Sequence, residues 1–118
     1  MDNEGIQPTL VVQTTHEEYS AVIALEGELD LGTVADLQEA VDDALGAGAQ
    51  HVTIDCRGIG FVDSSGLRCL LDTNANAPRG VALVQPSSSL LRILEITSLD
   101  SMLPIFNDLE AVRADVEA

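Results

Sequence analysis

Short β-type runs alternate with stretches that carry apolar residues at helical spacing. This alternation constrains the fold more than any single motif. Val34, Leu37, Val41 and Leu45 fall on one helical face, with Ala40 and Ala44 alongside, and predict a helix from about Gly32 to Leu45. The opposite face carries Asp36, Gln38, Glu39, Asp42 and Asp43, and Gly46 and Gly48 supply the stop. Upstream, Thr9–Thr14 and Ser20–Leu25 are apolar, β-rich runs joined by a polar turn at His16–Tyr19, the pattern of a hairpin. Gly27–Asp30 is expected to break the second run.

Downstream, His51–Cys56 alternates Val52, Ile54 and Cys56 against Thr53 and Asp55, so it reads as a strand. Arg57–Asp63 reads as a loop, and Leu67, Leu70 and Leu71 as a short helix. Asn74–Gly80 reads as a turn and Val81–Val84 as a buried strand. Ser87–Ser89 offer hydroxyl caps to a helix using Leu90, Ile93 and Leu94. Met102–Phe106 is a last strand, placed at an edge by Pro104. Asn107 or Asp108 caps a terminal helix carrying Leu109, Val112 and Val116. The order is β-β-α-β-α-β-α-β-α. It predicts an α/β domain with a mixed sheet of four to five strands and about four helices.

The chain is one domain of 118 residues, expected over 9–118, with a polar segment at 1–8 expected to fray. Twenty acidic residues face five basic ones, all arginine, giving a net charge of −15. Such a surface repels phosphate backbones and anionic lipid, so no nucleic-acid partner is expected; a basic docking surface would be steered toward it. The start of the chain has no basic-then-apolar leader, and no apolar run has the ~20 residues of a membrane span. The expectation is a cytoplasmic protein without membrane insertion. Cys56 and Cys69 are expected to be packed thiols. Tyr19, Phe61 and Phe106 are expected to be packing residues, with Phe61 also able to touch a partner, and Glu26 and Glu28 to be solvated loop charges.

Enzyme signatures fail in turn. The chain has neither GxGxxG nor GxxxxGK[ST], and it has no lysine for a phosphate clamp or Schiff base. His16 and His51 are expected at the surface or as caps, and no paired-histidine metal motif exists. The reading is a non-enzyme without cofactor or metal. One segment stands apart: Asp63-Ser64-Ser65-Gly66-Leu67, at a loop-to-helix junction. It can be a simple N-cap, since Asp and Ser satisfy free helix N–H groups. On spacing alone the cap is the favoured reading, and the functional one is a phosphoacceptor, since a phosphoryl group on serine there meets free N–H groups and a favourable dipole.

Glu28-Leu29-Asp30 after a strand, Asp63–Leu67 opening a helix, and this element order resemble a STAS domain, specifically a bacterial anti-sigma factor antagonist. The resemblance covers about 9–116. It implies partner switching. The unmodified antagonist binds an anti-sigma factor that is also an ATP-dependent serine kinase, and the sigma factor is released. The kinase then phosphorylates the antagonist and the complex separates; a serine phosphatase resets the cycle. The resemblance places the phosphoacceptor at Ser65, with Ser64 second, and partner contacts at Asp30, Asp63, Ser64, Gly66 and Arg68. A non-switching STAS subunit of a stressosome-like or lipid-transport assembly is the alternative. Oligomeric state stays open.

Overall fold

The computed structural model describes residues 10–117; the expected polar tail at 1–8 and Thr9 lie outside them. The elements are β1 (Leu10–His16), β2 (Ser20–Leu29), α1 (Val34–Gly46), β3 (His51–Val62), α2 (Ser64–Asn76), β4 (Val81–Val84), α3 (Ser88–Ile96), a 3-10 turn (Leu99–Ser101), β5 (Ile105–Phe106) and α4 (Leu109–Glu117). The sheet order is β1-β2-β3-β4-β5. β1 and β2 form the expected antiparallel hairpin, and the remaining neighbours run parallel. The α/β mixed sheet with four helices is thus observed.

Strand alternation sends the two sets of side chains to opposite faces. One face, with Ile23, Leu25, Leu29, Val52, Ile54 and Leu83, is covered by Leu37 and Val41 of α1, Leu70 of α2, and Leu90 and Leu94 of α3. These side chains are almost completely buried. The other face is covered by α4, whose Val112 packs on Ala82 and Val84. Caps follow the sequence expectation: the Ser87 hydroxyl accepts from Leu90 N–H at 3.2 Å, and the Asp108 carboxylate from Ala111 N–H at 2.8 Å.

The central strands are longer than their glycines suggest. β2 does not break at Gly27–Asp30 but runs to Leu29, and the expected loop Arg57–Asp63 is strand as far as Val62. The β2–β3 register shifts between Ala24 and Glu26 and again between Gly27 and Glu28. Gly27 takes the left-handed φ of 121°, which an L side chain resists. Gly58 lies so close to β2 that a Cβ there would sit 2.7 Å from the Leu25 carbonyl oxygen. The glycines absorb the irregularity and the strands continue side by side, ending with Leu29 opposite Val62.

Other boundaries move for local reasons. α1 begins at Val34, after a turn over 31–33. α2 begins at Ser64 and runs through Asn74 to Asn76. It stops because Ala77 precedes Pro78 and is held extended, with ψ 128°. The expected strand Met102–Phe106 shortens to Ile105–Phe106, after the 3-10 turn and Pro104. It still occupies the sheet edge. Glu26 and Glu28, expected as loop charges, stand exposed on β2.

Three single residues differ from expectation. His51 is buried, only 6% exposed, because it opens β3 against the α4 side of the sheet. Burial pushes its imidazole below the usual pKa, and the Arg79 cation adds to this. Tyr19 and Phe61, expected to pack, are 59% and 51% exposed. Both thiols are buried, as expected. Burial pushes the Cys56 thiol up to about 12, so it stays protonated and inert.

Candidate functional site

Because β2 and β3 end side by side, the residues that follow each strand become neighbours. Asp63 follows β3 and caps α2. Its backbone is extended, and its Oδ1 accepts from Gly66 N–H at 3.0 Å. Its Oδ2 accepts from Leu31 N–H at 3.1 Å, across to the loop that follows β2. Its own N–H donates to the Leu29 carbonyl at 3.1 Å. One carboxylate therefore ties the β2–α1 loop to the first turn of α2. These N–H groups, Gly66 first, then Leu31 and Ser65, hold the Asp63 carboxyl below its ordinary pKa.

Asp30 orders the loop from the other side. Its Oδ1 accepts from Gly32 N–H at 2.9 Å and lies 3.3 Å from the Thr33 hydroxyl. That hydroxyl donates to the Glu28 carbonyl at 2.9 Å and accepts from Asp30 N–H at 3.0 Å. Thr33 is buried, so the network is fixed to the body of the domain. The Asp30 carboxylate is thus engaged within its own turn.

Ser64 and Ser65 are the first two residues of α2; Ser64 is exposed and Ser65 half-buried. Gly66 is buried against β2: a Cβ there would meet Leu29 Cγ at 2.7 Å and the Leu29 carbonyl oxygen at 2.8 Å. Absence of a side chain lets α2 start in contact with the end of β2, and this sets the height of both serines. Arg68 points outward and pairs with Asp72 one turn on, at 3.6 Å. Such an exposed pair contributes little to stability. Cys69 is buried beneath, its Sγ 3.5 Å from Gln38 Oε1, and does not reach the surface.

The structure therefore brings Asp63, Ser64, Ser65 and Gly66 together, with Asp30 adjoining through Leu31, and leaves Arg68 on the outer side of the same helix. Two exposed apolar residues stand nearby along the chain: Leu31, in the β2–α1 loop, is 75% exposed, and Phe61, two residues before Asp63, 51%. Sequence patterning did not single out Leu31. A leucine inside a turn, directly after Asp30, was the available signal. Chemically the site offers hydroxyls at a helix N-terminus, where the dipole favours an anion.

Asp63→Asn is expected to lower the melting temperature at neutral pH. Asparagine keeps one acceptor, enough for Gly66 N–H, but cannot also accept from Leu31 N–H. The folded-state pKa of Asp63 lies below the unfolded value of about 3.9. Its contribution is therefore present above that value and is lost as pH falls through the folded pKa. Melting curves of the two proteins should converge at the acid end; a constant offset down to about pH 2 would contradict this account.

A five-stranded mixed sheet with a hairpin at one edge, three helices on one face, and a serine pair opening α2 defines a class of small α/β domain. A family model described as Mlab, STAS domain matches residues 12–104. The chain is 30% identical over 103 residues to the anti-sigma-F factor antagonist RsfB of Mycobacterium tuberculosis, covering 86% of this chain and 84% of that protein. An anti-sigma factor antagonist from Mycobacterium paratuberculosis superimposes with a TM-score of 0.83 at 22% identity, over 92% of this chain and 95% of that one. Phosphorylated SpoIIAA of Bacillus shares the fold at a TM-score of 0.70 and 22% identity, over 88% of this chain and 98% of its own. This chain therefore belongs to the STAS-domain family of anti-sigma factor antagonists. Among the described residues, no helix is long and apolar enough to cross a membrane.

Proposed function

We propose that the unmodified chain binds an anti-sigma factor with serine-kinase activity through the α2 N-terminus, and that phosphate on Ser65 ends the binding. The observation that carries this reading is the shared surface. The Ser65 backbone, the Asp63–Leu31 tie and the exposed Leu31 and Phe61 side chains belong to one corner of the domain. An acceptor hydroxyl within a docking face needs no change of fold to act as a switch. Phosphate adds about −1.5 to −2 charges beside Asp63, where the partner must approach.

The geometry supports a role for each residue. Asp63 holds the acceptor turn and Gly66 seats it. Asp30 shapes the adjoining loop, so its part in docking is to position Leu31. Ser64 is the second candidate acceptor, and Arg68 borders the face. The kinase brings ATP and magnesium and a serine phosphatase resets the cycle, so the chain acts as ligand and substrate, not as catalyst. These events belong to the cytoplasm. Similarity to anti-sigma factor antagonists supports this reading over a non-switching STAS subunit.

The test is intact-mass spectrometry after incubation with the anti-sigma kinase and magnesium ATP. The wild type and Ser64→Ala should each gain one phosphate, and Ser65→Ala none. Phosphate gained by Ser65→Ala would move the acceptor away from Ser65. No phosphate on any of the three would favour the non-switching reading.

A further inference from the structure

A second site lies at the opposite pole of the sheet. β3 runs from His51 at that pole to Val62 beside the serine pair, a separation of roughly 35 Å at strand spacing. A cavity of about 400 Å³ opens there between α4 and the starts of β2 and β3, a size suited to one small organic molecule. Part of its wall is apolar, formed by Val22 on the sheet and by Leu109, Val112 and Val116 on α4.

Its polar groups converge from separate elements. His51 lines the cavity while 6% exposed, and its Nδ1 is buried without a hydrogen-bond partner. An orphaned buried nitrogen is costly unless something satisfies it. Arg79, also on the cavity wall, donates Nη2 to the neutral Val116 carbonyl at 2.8 Å. No carboxylate stands within 4 Å of its guanidinium among the described residues. In a chain of net charge −15, Arg79 is a cation with no carboxylate in ion-pair contact beside an unsatisfied histidine, although Asp115 of α4 lies close to the same histidine. The mouth, however, carries Glu17 and Glu18. Glu17 is itself bound to Arg113 at 2.6 Å. Two arginines against two glutamates leave the lining close to neutral, which opposes a polyanion such as a nucleoside triphosphate and leaves Arg79 as the cation free of an ion pair among the described residues.

We propose that this cavity binds a small amphipathic organic monoanion, its apolar or aromatic body under α4 and its acidic group between Arg79 and His51. Such a ligand would bridge α4 to β2 and β3. The site is independent of Ser65, so it stands or falls apart from the switch.

The probes are 8-anilino-1-naphthalenesulfonate and its uncharged counterpart N-phenyl-1-naphthylamine, titrated into isotope-labelled full-length protein and followed by amide shifts. The sulfonate should saturate with one probe per chain and shift Tyr19, Val22, Thr53 and Val112. The uncharged probe should bind about tenfold more weakly, the loss of one charge-assisted contact. Arg79→Gln, at an exposed side chain, should weaken the sulfonate about tenfold and leave the uncharged probe unchanged. Val22→Trp should fill the cavity floor and abolish both; if that variant does not fold, Arg79→Gln carries the test. Failure to saturate, equal affinity for the two probes, or shifts confined to Leu31 and Phe61 would each overturn the proposal.

Discussion

Ser65→Asp should bind the anti-sigma factor roughly 30- to a few thousand-fold more weakly than the wild type. Leaving a buried charge unpaired at an interface costs about 2–5 kcal/mol, and each 1.4 kcal/mol is a factor of ten. Phosphoserine carries about −1.5 to −2 charges against one for aspartate, so Ser65→Asp should fall at the low end and the phosphorylated protein at the high end. Ser65 is the second residue of α2, and the Asp63 carboxylate already holds the Gly66 N–H. An added anion therefore finds part of the helix N-terminus occupied and faces a carboxylate next to it. Ser65→Ala should bind as tightly as the wild type, because it removes the acceptor and adds no charge. Calorimetric titration of the three proteins at one salt concentration provides the comparison. Equal affinity for Ser65→Asp and Ser65→Ala would remove the electrostatic basis of the switch.

The second large effect is on the fold that carries the serines. Gly66→Ala should destabilise the domain by up to about 2 kcal/mol, although alanine is the better helix former. The new Cβ would lie 2.7 Å from Leu29 Cγ and 2.8 Å from the Leu29 carbonyl oxygen. A leucine side chain can rotate away, but a backbone carbonyl at the end of a parallel ladder, held by the Asp63 N–H at 3.1 Å, cannot. Overpacking of this kind costs about 1–3 kcal/mol, against about 1 kcal/mol gained from helix propensity. At Gly46, the end of α1, an added Cβ would have nothing within 4 Å of it. Gly46→Ala should therefore be neutral or stabilising. Melting temperatures decide it: a loss at Gly66 and none at Gly46 is expected. A Gly66→Ala protein as stable as the wild type would mean that α2 is not seated on Leu29 as described.

Much of this was written in short-range pattern. Helical stripes, strand alternation, and the caps at Asp63, Ser87 and Asp108 act over a few residues, so their chemistry is visible in order along the chain. The hairpin and the parallel crossovers then followed from element order. The serine pair at the mouth of a helix was visible for the same reason, and with Asp30 it pointed to the family. What the chain order hid was pairwise. Gly27 and Gly58 each look like breakers when read alone. Set in adjacent strands, they absorb a shared irregularity and let both strands continue. That continuation, decided by the β2–β3 register, brings Leu31 N–H within 3.1 Å of Asp63.

The sequence by itself determined the class of fold, the acidic surface and the position of the serine-bearing turn, because each depends on residue type and local spacing. Only the tertiary structure decided which faces the remaining residues took. Exposure of Leu31 and Phe61, burial of His51 with an unsatisfied nitrogen, and the opening between α4 and β2 depend on which elements pack together. Burial is a property of neighbours distant in the chain, and no spacing along one strand or helix encodes it.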